Sequence, residues 1–308
     1  MAISRRIPPD HGLNARMLVV AFLLGLLYAV LVAALVAVHV GLDLIVVIAG
    51  GLLMVQYWFS DRIALFSMGG HLVTAEQEPV LHGVVDRPCA LADMKKPRVA
   101  VADTDIPNAF ATGRSPNNAV VCATRGLLRR LDEAELEAVL AHELSHVAHR
   151  DVAVMTIASF LGVVAGLVTR FALYAGMFGG FGERGRGRQG QNTAMLEFGI
   201  IIVSAIVYAI SFLLTRALSR YRELAADRSG AILTGRPSLL ASALVKVTGE
   251  MSRIPTRDLR AAEPFNAFYF TPALASRNGL SSLFSTHPSL DKRLEQLSRL
   301  EAEMNGRP

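Results

Sequence analysis

The run His142-Glu143-Leu144-Ser145-His146 is an HExxH motif, with a glutamate directly after the first of two histidines spaced four residues apart. On a helix these histidines lie on one face, about 6 Å apart along the axis, so both imidazoles can reach one metal ion. Glu143 points about 100° around the helix and can instead reach a water molecule beside that metal. The motif therefore predicts one Zn²⁺ per chain, held by His142 and His146, with Glu143 as general base.

The residues around the motif favour a helix over about 132–150. Asp132 stands at an N-cap position with Glu135 three residues on, which is the pattern of a capping box. Apolar residues recur at helical spacing through the segment: Leu136, Val139, Leu140, Leu144 and Val147. The alternative is a chance match, in which the histidines are packed in a core without a metal.

A catalytic zinc site usually takes three protein ligands, so a third must lie elsewhere in the chain. His149 stands about 10 Å along the helix axis from His142, too far for three residues of one straight helix to bind one tetrahedral ion. Glu223 and Asp227 lie four apart on another predicted helix face. Glu223 is the predicted third ligand, and Asp227 is predicted to accept the outer N–H of a zinc-bound imidazole. Alternatively, both carboxylates are solvated and paired with nearby arginines.

Composition and hydropathy indicate an integral membrane protein, since 52% of residues are hydrophobic and 19% are charged. Residues 17–40 form an uncharged run that spans about 36 Å as a helix, enough to cross a hydrocarbon core of ~30 Å. Residues 44–59 form a second such run, which ends in an aromatic cluster suited to the headgroup boundary. Further apolar segments lie at 152–178 and about 195–215.

The third apolar segment is interrupted by Arg170, which either snorkels or marks a segment embedded without fully crossing. Between the third and fourth segments, the glycine- and arginine-rich stretch 182–191 is predicted to be a flexible exposed loop.

These segments divide the chain into five predicted parts. They are an N-terminus (1–16), a transmembrane hairpin (17–59), a first part of the catalytic domain with the HExxH helix (60–151), a second membrane hairpin (152–216), and a second part of the catalytic domain with the third ligand (217–308). Because an antiparallel hairpin returns the chain to the same membrane surface, His146 and Glu223 can meet there. The predicted fold class is a mainly α-helical integral membrane protein with about four membrane helices and an α+β zincin-type (gluzincin) catalytic domain that has a small edge-exposed sheet.

Basic residues flank the first two spans on one side: Arg5, Arg6, Arg16, Arg62, Lys95, Lys96, Arg129 and Arg130. The positive-inside rule then places the N-terminus and both parts of the catalytic domain in the cytoplasm, although the arginines of 182–191 violate it. The predicted location is the cell (inner or plasma) membrane, multi-pass, with the active site facing the cytoplasm. The net charge of +5 is spread over faces that flank the membrane, which favours membrane lipid over nucleic acid as a partner.

Several patterns occur together in this chain: HELSH at 142–146, SRxxExxAD at 219–227, hydrophobic segments split two and two around the motif, Pro107-Asn108-Ala109-Phe110-Ala111, and Thr286-His287-Pro288. In this combination most of the chain resembles the HtpX family of membrane zinc metallopeptidases, relatives of the CAAX prenyl endopeptidases. The resemblance implies His142, His146 and Glu223 as zinc ligands, Glu143 as the base and Asp227 as their hydrogen-bonding support.

The resemblance also implies a substrate-aligning edge strand at Asn108, Ala109 and Phe110, where Asn108 can donate an amide to a peptide carbonyl and an open strand edge can pair with an extended peptide. The alternative is an ordinary edge strand beside 99–102 and 119–122.

A histidine and an arginine near the C-terminus, His287 and Arg293, match residues that lie near the site in eukaryotic relatives. His287 could donate a hydrogen bond to the developing oxyanion, and Arg293 could pair with an acidic residue of the site. The alternative is a plain turn before a final helix from Leu290 to about Glu303.

The activity that the resemblance implies is zinc-dependent hydrolysis of peptide bonds in polypeptide substrates, namely membrane or misfolded proteins, as part of protein quality control. Two alternatives remain at this point. One is CAAX-type processing of prenylated proteins. The eukaryotic enzymes of that class resemble a larger bundle with more spans. The other is a catalytically silent membrane scaffold of the same fold.

Overall fold

The structure is a computed structural model that describes residues 11–37, 42–178, 188–253 and 285–306. Within these ranges the helices are α1 (His11–Ala37), α2 (Leu42–Trp58), α3 (Ser60–Ser67), α4 (Pro79–Ala92), α5 (Arg125–Leu128), α6 (Glu133–Ala148), α7 (Asp151–Phe178), α8 (Arg188–Thr234), α9 (Pro237–Met251) and α10 (Leu290–Met304). The strands in the same ranges are β1 (Gly70–Leu72), β2 (Arg98–Ala102), β3 (Ala109–Thr112) and β4 (Val120–Thr124). The mainly α-helical fold with a small sheet agrees with the predicted fold class.

Among the described residues, three helices are long and apolar enough to cross a membrane, over His11–Ala33 in α1, Asp151–Arg170 in α7 and Ile201–Thr234 in α8. The predicted second span corresponds to α2, which has 17 residues, so a count of four spans stays a prediction. Large apolar side chains lie on the outside of α1, where Leu18 and Phe22 are about 70% exposed. Such side chains are favourable against lipid and unfavourable against water.

Helix α8 runs without a break through the predicted fourth span and onward to Thr234. The predicted exposed loop is therefore wrong over residues 188–191, which begin α8, while its other residues lie outside the described ranges. Polar composition does not end a helix unless a stop signal accompanies it. The stop is Gly235, which has a φ of +69°, followed by Pro237 in the first turn of α9.

The sheet has the order β1-β2-β4-β3, with β2 and β4 parallel and the two outer pairs antiparallel. Strand β3 is thus an edge strand of the described sheet. It pairs with β4, which contains the predicted neighbour 119–122 from Val120 on, whereas the other predicted neighbour, 99–102 in β2, lies on the far side of β4. Strands β2 and β4 are apolar at nearly every position because both faces of the sheet are covered. One face packs in the main core with α4, α6, α9 and α10, and the other packs with α3.

A second core joins the membrane helices. Its buried side chains come from α1, α7 and α8: Val20, Leu24, Leu31, Ala158, Val164, Ala165, Val168, Val207 and Leu218. Helix α8 belongs to this bundle in its first part and packs against α6 in its last part. It therefore connects the membrane bundle to the helix that bears the HExxH motif.

Candidate active site

Helix α6 begins with the predicted capping box. The Glu135 N–H donates to Asp132 Oδ1 at 2.8 Å, and the Asp132 N–H donates to Glu135 Oε2 at 3.3 Å. The observed helix, Glu133–Ala148, agrees with the predicted 132–150 to within two residues. Because α6 runs between the sheet and α8, His142 and Glu143 are only 1% and 5% exposed.

Three predicted metal ligands converge at one place in the structure. His142 Nε2 lies 3.2 Å from His146 Nε2 and 3.8 Å from Glu223 Oε2, and His146 Nε2 lies 3.4 Å from Glu223 Oε1. One ligand atom from each residue lies within 4.8 Å of the others. Two imidazole nitrogens and a carboxylate oxygen are a donor set that holds zinc in hydrolases, so these residues fit a metal ion.

Helix α8 reaches α6 closely because position 230 is a glycine. A Cβ atom added to Gly230 would stand 2.7 Å from the backbone nitrogen of His142 and 2.9 Å from its Cα. Those atoms are backbone and cannot move aside as a side chain can. The absent side chain thus lets the helix that carries Glu223 and Asp227 pack directly against the HExxH helix.

Glu143 lies beside the three ligands and faces the edge strand. Its Oε2 accepts a hydrogen bond from the Ala111 N–H at 3.1 Å, and its Oε1 is 4.0 Å from His142 Nε2. Burial raises the pKa of Glu143 above its ordinary value, and nearby Glu223 adds to this, against the opposing effect of the two imidazoles. A carboxylate in this setting is a stronger base than a solvated one.

The outer nitrogen of His142 faces Asp227, with 2.9 Å between His142 Nδ1 and Asp227 Oδ1. Asp227 in turn accepts two hydrogen bonds from Arg293, at 2.7 Å from Nε and 2.6 Å from the terminal nitrogen. We call the series His142–Asp227–Arg293 the inner chain. Burial alone would lower the pKa of Arg293, but Asp227 raises it above its ordinary value.

The outer nitrogen of His146 faces a carboxylate that the sequence analysis did not single out. His146 Nδ1 lies 2.7 Å from Asp151 Oδ2, and the guanidinium of Arg222 contacts the other oxygen of Asp151. We call the series His146–Asp151–Arg222 the outer chain. Asp151 follows His146 by five residues, which is not a same-face helical spacing, so no periodic pattern linked the two residues.

His287 lies against the third predicted ligand, with its Nδ1 3.0 Å from Glu223 Oε2, and it is 6% exposed. The alternative in which Glu223 and Asp227 are solvated and paired with nearby arginines does not match these contacts. Arg222 pairs with Asp151 instead, and Arg228 lies 3.8 Å from Glu303.

A cleft of about 370 Å³ opens in front of the ligands. It is lined by the edge strand and the residue after it, by residues of α3, α6 and α8 and the Thr286–His287 segment, and by the end of α2 and the start of α7. Ala109 and Phe110 line it, whereas Asn108 is fully buried just before β3 and is not among the lining residues. The side chain of Asn108 is therefore less accessible to a substrate than predicted. The Asn108 backbone pairs with Thr124 of β4.

Comparisons with known proteins agree with this geometry. Residues 75–301 match Peptidase family M48. The chain is 61% identical to Protease HtpX homolog 1 of Streptomyces coelicolor, over 99% of this chain and 98% of that protein. It is 53% identical to the Protease HtpX homolog of Moorella thermoacetica, over 99% of this chain and 100% of that protein.

A solved structure, the crystal structure of S. mikatae Ste24p, has the same fold. The TM-score is 0.55 at 19% identity, and the match covers 93% of this chain and 66% of that chain. The HExxH helix and the apolar helices, together with the matches over nearly the whole chain, lead to one conclusion: the protein belongs to peptidase family M48 and is a membrane metalloprotease.

Proposed function

We propose that this protein is a zinc-dependent endopeptidase that cleaves membrane or misfolded proteins at the cytoplasmic face of the cell membrane. The observation that carries the proposal is the convergence of His142, His146 and Glu223, with Glu143 beside them. We assign the three as ligands of one Zn²⁺ per chain. Residues 60–151 and 217–308 are the proposed halves of the catalytic domain, and residues 17–59 and 152–216 are the proposed membrane hairpins.

Zinc bound at these residues would supply Lewis acidity toward a water molecule and toward the scissile carbonyl. Glu143 removes a proton from the attacking water and later delivers it to the leaving amine. The Ala111 N–H holds the carboxylate in place. His287 contacts Glu223 through Nδ1, and it is proposed to donate a hydrogen bond from Nε2 to the developing oxyanion in its imidazolium form, in which both ring nitrogens are donors.

The edge strand is the proposed binding surface for the substrate backbone. Since the Thr124 N–H donates to the Asn108 carbonyl, positions 108, 110 and 112 are those that pair with β4. The backbone groups of Ala109 and Ala111 then point away from the sheet, and the Ala111 N–H does contact Glu143. An extended peptide can add to this edge as a further strand, beside the Ala111–Glu143 contact and with its scissile bond near Glu143.

The position of α2 and α7 beside the cleft favours substrates that come from the bilayer. Gln56 of α2 and Val152 and Met155 of α7 line the same cleft as Glu143. The end of α2 is also attached to the loop after the edge strand: the Tyr57 hydroxyl donates to the Arg114 carbonyl at 2.8 Å, and the Arg114 guanidinium lies 4.4 Å from the centre of the Trp58 ring. A polypeptide that leaves the bilayer beside α2 would meet the edge strand directly.

The test is the substitution Glu143→Gln in the full-length protein, assayed on casein in detergent or vesicles. We expect the variant to keep one zinc per chain and to lose at least about a hundredfold in turnover, because the base is gone and the ligands remain. A variant that still cleaves casein at the wild-type rate would refute the assignment of Glu143. A prenylated CAAX peptide, offered in parallel, separates the substrate classes: cleavage of that peptide alone would refute general proteolysis.

A further inference from the structure

The corner between α6 and α7 brings a carboxylate back to the metal site. Arg150 has a left-handed backbone, with a φ of +56°, which is uncommon for a residue other than glycine. Its N–H donates to the Val147 carbonyl at 3.1 Å, and its carbonyl accepts from the Ala153 N–H at 3.0 Å. One residue thus ends the HExxH helix and starts the next, and Asp151 emerges at the first position of α7.

We propose that Asp151 is a positioning residue for the metal site and that Arg222 holds Asp151 in its working orientation. A carboxylate can only accept a hydrogen bond, so Nδ1 of His146 carries the proton. Nε2 then presents its lone pair toward His142 and Glu223. This inference rests on the proposed function, since it concerns how the proposed zinc ligand His146 is oriented.

A simpler reading is that Asp151 only stabilises the start of α7 through the helix dipole. That reading accounts for an acidic residue at the first position of the helix. It accounts neither for the 2.7 Å contact with His146 nor for the pairing with Arg222. Asp151 is 8% exposed, and a carboxylate that only served the helix dipole would be more stable in water.

Arg222 connects the same corner to α8. Its guanidinium contacts Asp151 and also donates to the carbonyl of His149 at 3.3 Å. His149 is the C-cap residue of α6. Arg222 directly precedes Glu223 in the sequence. The outer chain therefore ties the proposed ligands from α6 and α8 to the start of a membrane helix, so the packing of α7 and α8 affects how well the metal is held.

The experiment measures zinc affinity rather than turnover. The full-length protein is stripped of metal in detergent, and the zinc Kd is measured by competition with a chromophoric chelator. We expect Asp151→Asn to weaken the zinc Kd by about ten- to a hundredfold and Arg222→Gln by several-fold. The matched control is Arg228→Gln, because Arg228 is on the same helix with a side chain 15% exposed, against 14% for Arg222. The control should bind zinc as the wild type does.

Cobalt substitution distinguishes positioning from simple stabilisation. If Asp151 orients His146, the visible absorption of the cobalt-loaded Asp151→Asn protein shifts relative to wild type, and Asp151→Glu, which keeps the charge, restores part of the affinity. If Asp151 were merely structural, the variant would melt earlier but keep the wild-type zinc Kd and cobalt spectrum, and that result would overturn the proposal. If Asp151→Asn does not fold, Arg222→Gln is the deciding variant. A wild-type zinc Kd in Arg222→Gln would equally overturn the proposal.

The wild-type protein separates this inference from the proposed function. A wild-type chain that binds no zinc would refute the zinc peptidase itself. One zinc per wild-type chain, with equal affinity in Asp151→Asn, would refute only the role of Asp151.

Discussion

The inner and outer chains have the same composition but lie in different surroundings. Each runs from a histidine through an aspartate to an arginine. The side chains of the inner chain, His142–Asp227–Arg293, are all at most 2% exposed, and those of the outer chain, His146–Asp151–Arg222, are 10–16% exposed. The inner chain connects α6, α8 and α10, whereas the outer chain connects α6 and α8 to a membrane helix. We therefore expect substitutions in the inner chain to cost more folding stability than those in the outer chain, whose proposed role is to position His146.

The largest expected effect comes from removing the arginine of the inner chain. Arg293→Met leaves the buried charge of Asp227 without its bidentate partner, which costs about 3–5 kcal/mol of unfolding free energy. Thermal and denaturant unfolding of the metal-free protein, followed by circular dichroism, measure the loss. Arg299→Gln on the same helix is the control, because its pair with Glu295 is exposed and should contribute less than about 1 kcal/mol.

The matching substitution in the outer chain tests whether the two chains differ in their contribution to stability. Arg222→Gln leaves Asp151 with His146 as a partner, and the Asp151 side chain is 10% exposed against 0% for Asp227, so the expected loss of unfolding free energy is about 2 kcal/mol. Equal losses for Arg293→Met and Arg222→Gln would show that burial does not separate the two chains as described.

A smaller effect than that of Arg293→Met is expected where α8 meets α6. Gly230→Ala places a methyl group against the backbone of His142 and should cost about 2 kcal/mol through overpacking. Gly199→Ala, also within α8, is the matched control, since a Cβ there would meet nothing within 4 Å. Unfolding free energies of the two variants measure the difference. Equal stability would mean that the close approach of the helices does not support the inner chain.

The parts of the site that are encoded by local patterns could be predicted from the sequence. The HExxH spacing and the Asp132–Glu135 capping box predicted α6, and the apolar run at 152–178 predicted α7. The last helix was predicted from Leu290 to about Glu303 and is observed at Leu290–Met304. Such features depend on residues within one or two turns of each other, which is the range that helical periodicity covers.

Other parts depend on tertiary geometry and could not be predicted. The corner at Arg150 needs a left-handed backbone at a residue whose type gives no sign of it. The contact of Asp151 with His146 and Arg222 follows from that corner and from the packing of three helices. The start of α8 at Arg188 was also not predicted, because the composition of 182–191 indicated a loop.

The central claim is that His142, His146 and Glu223 hold one zinc ion, and anomalous diffraction at the zinc edge tests it most directly. Crystals of the zinc-loaded full-length protein should show one anomalous peak per chain, within bonding distance of Nε2 of both histidines and of the Glu223 carboxylate. A peak held by other residues, or zinc-loaded crystals with no peak at these three, would contradict the account.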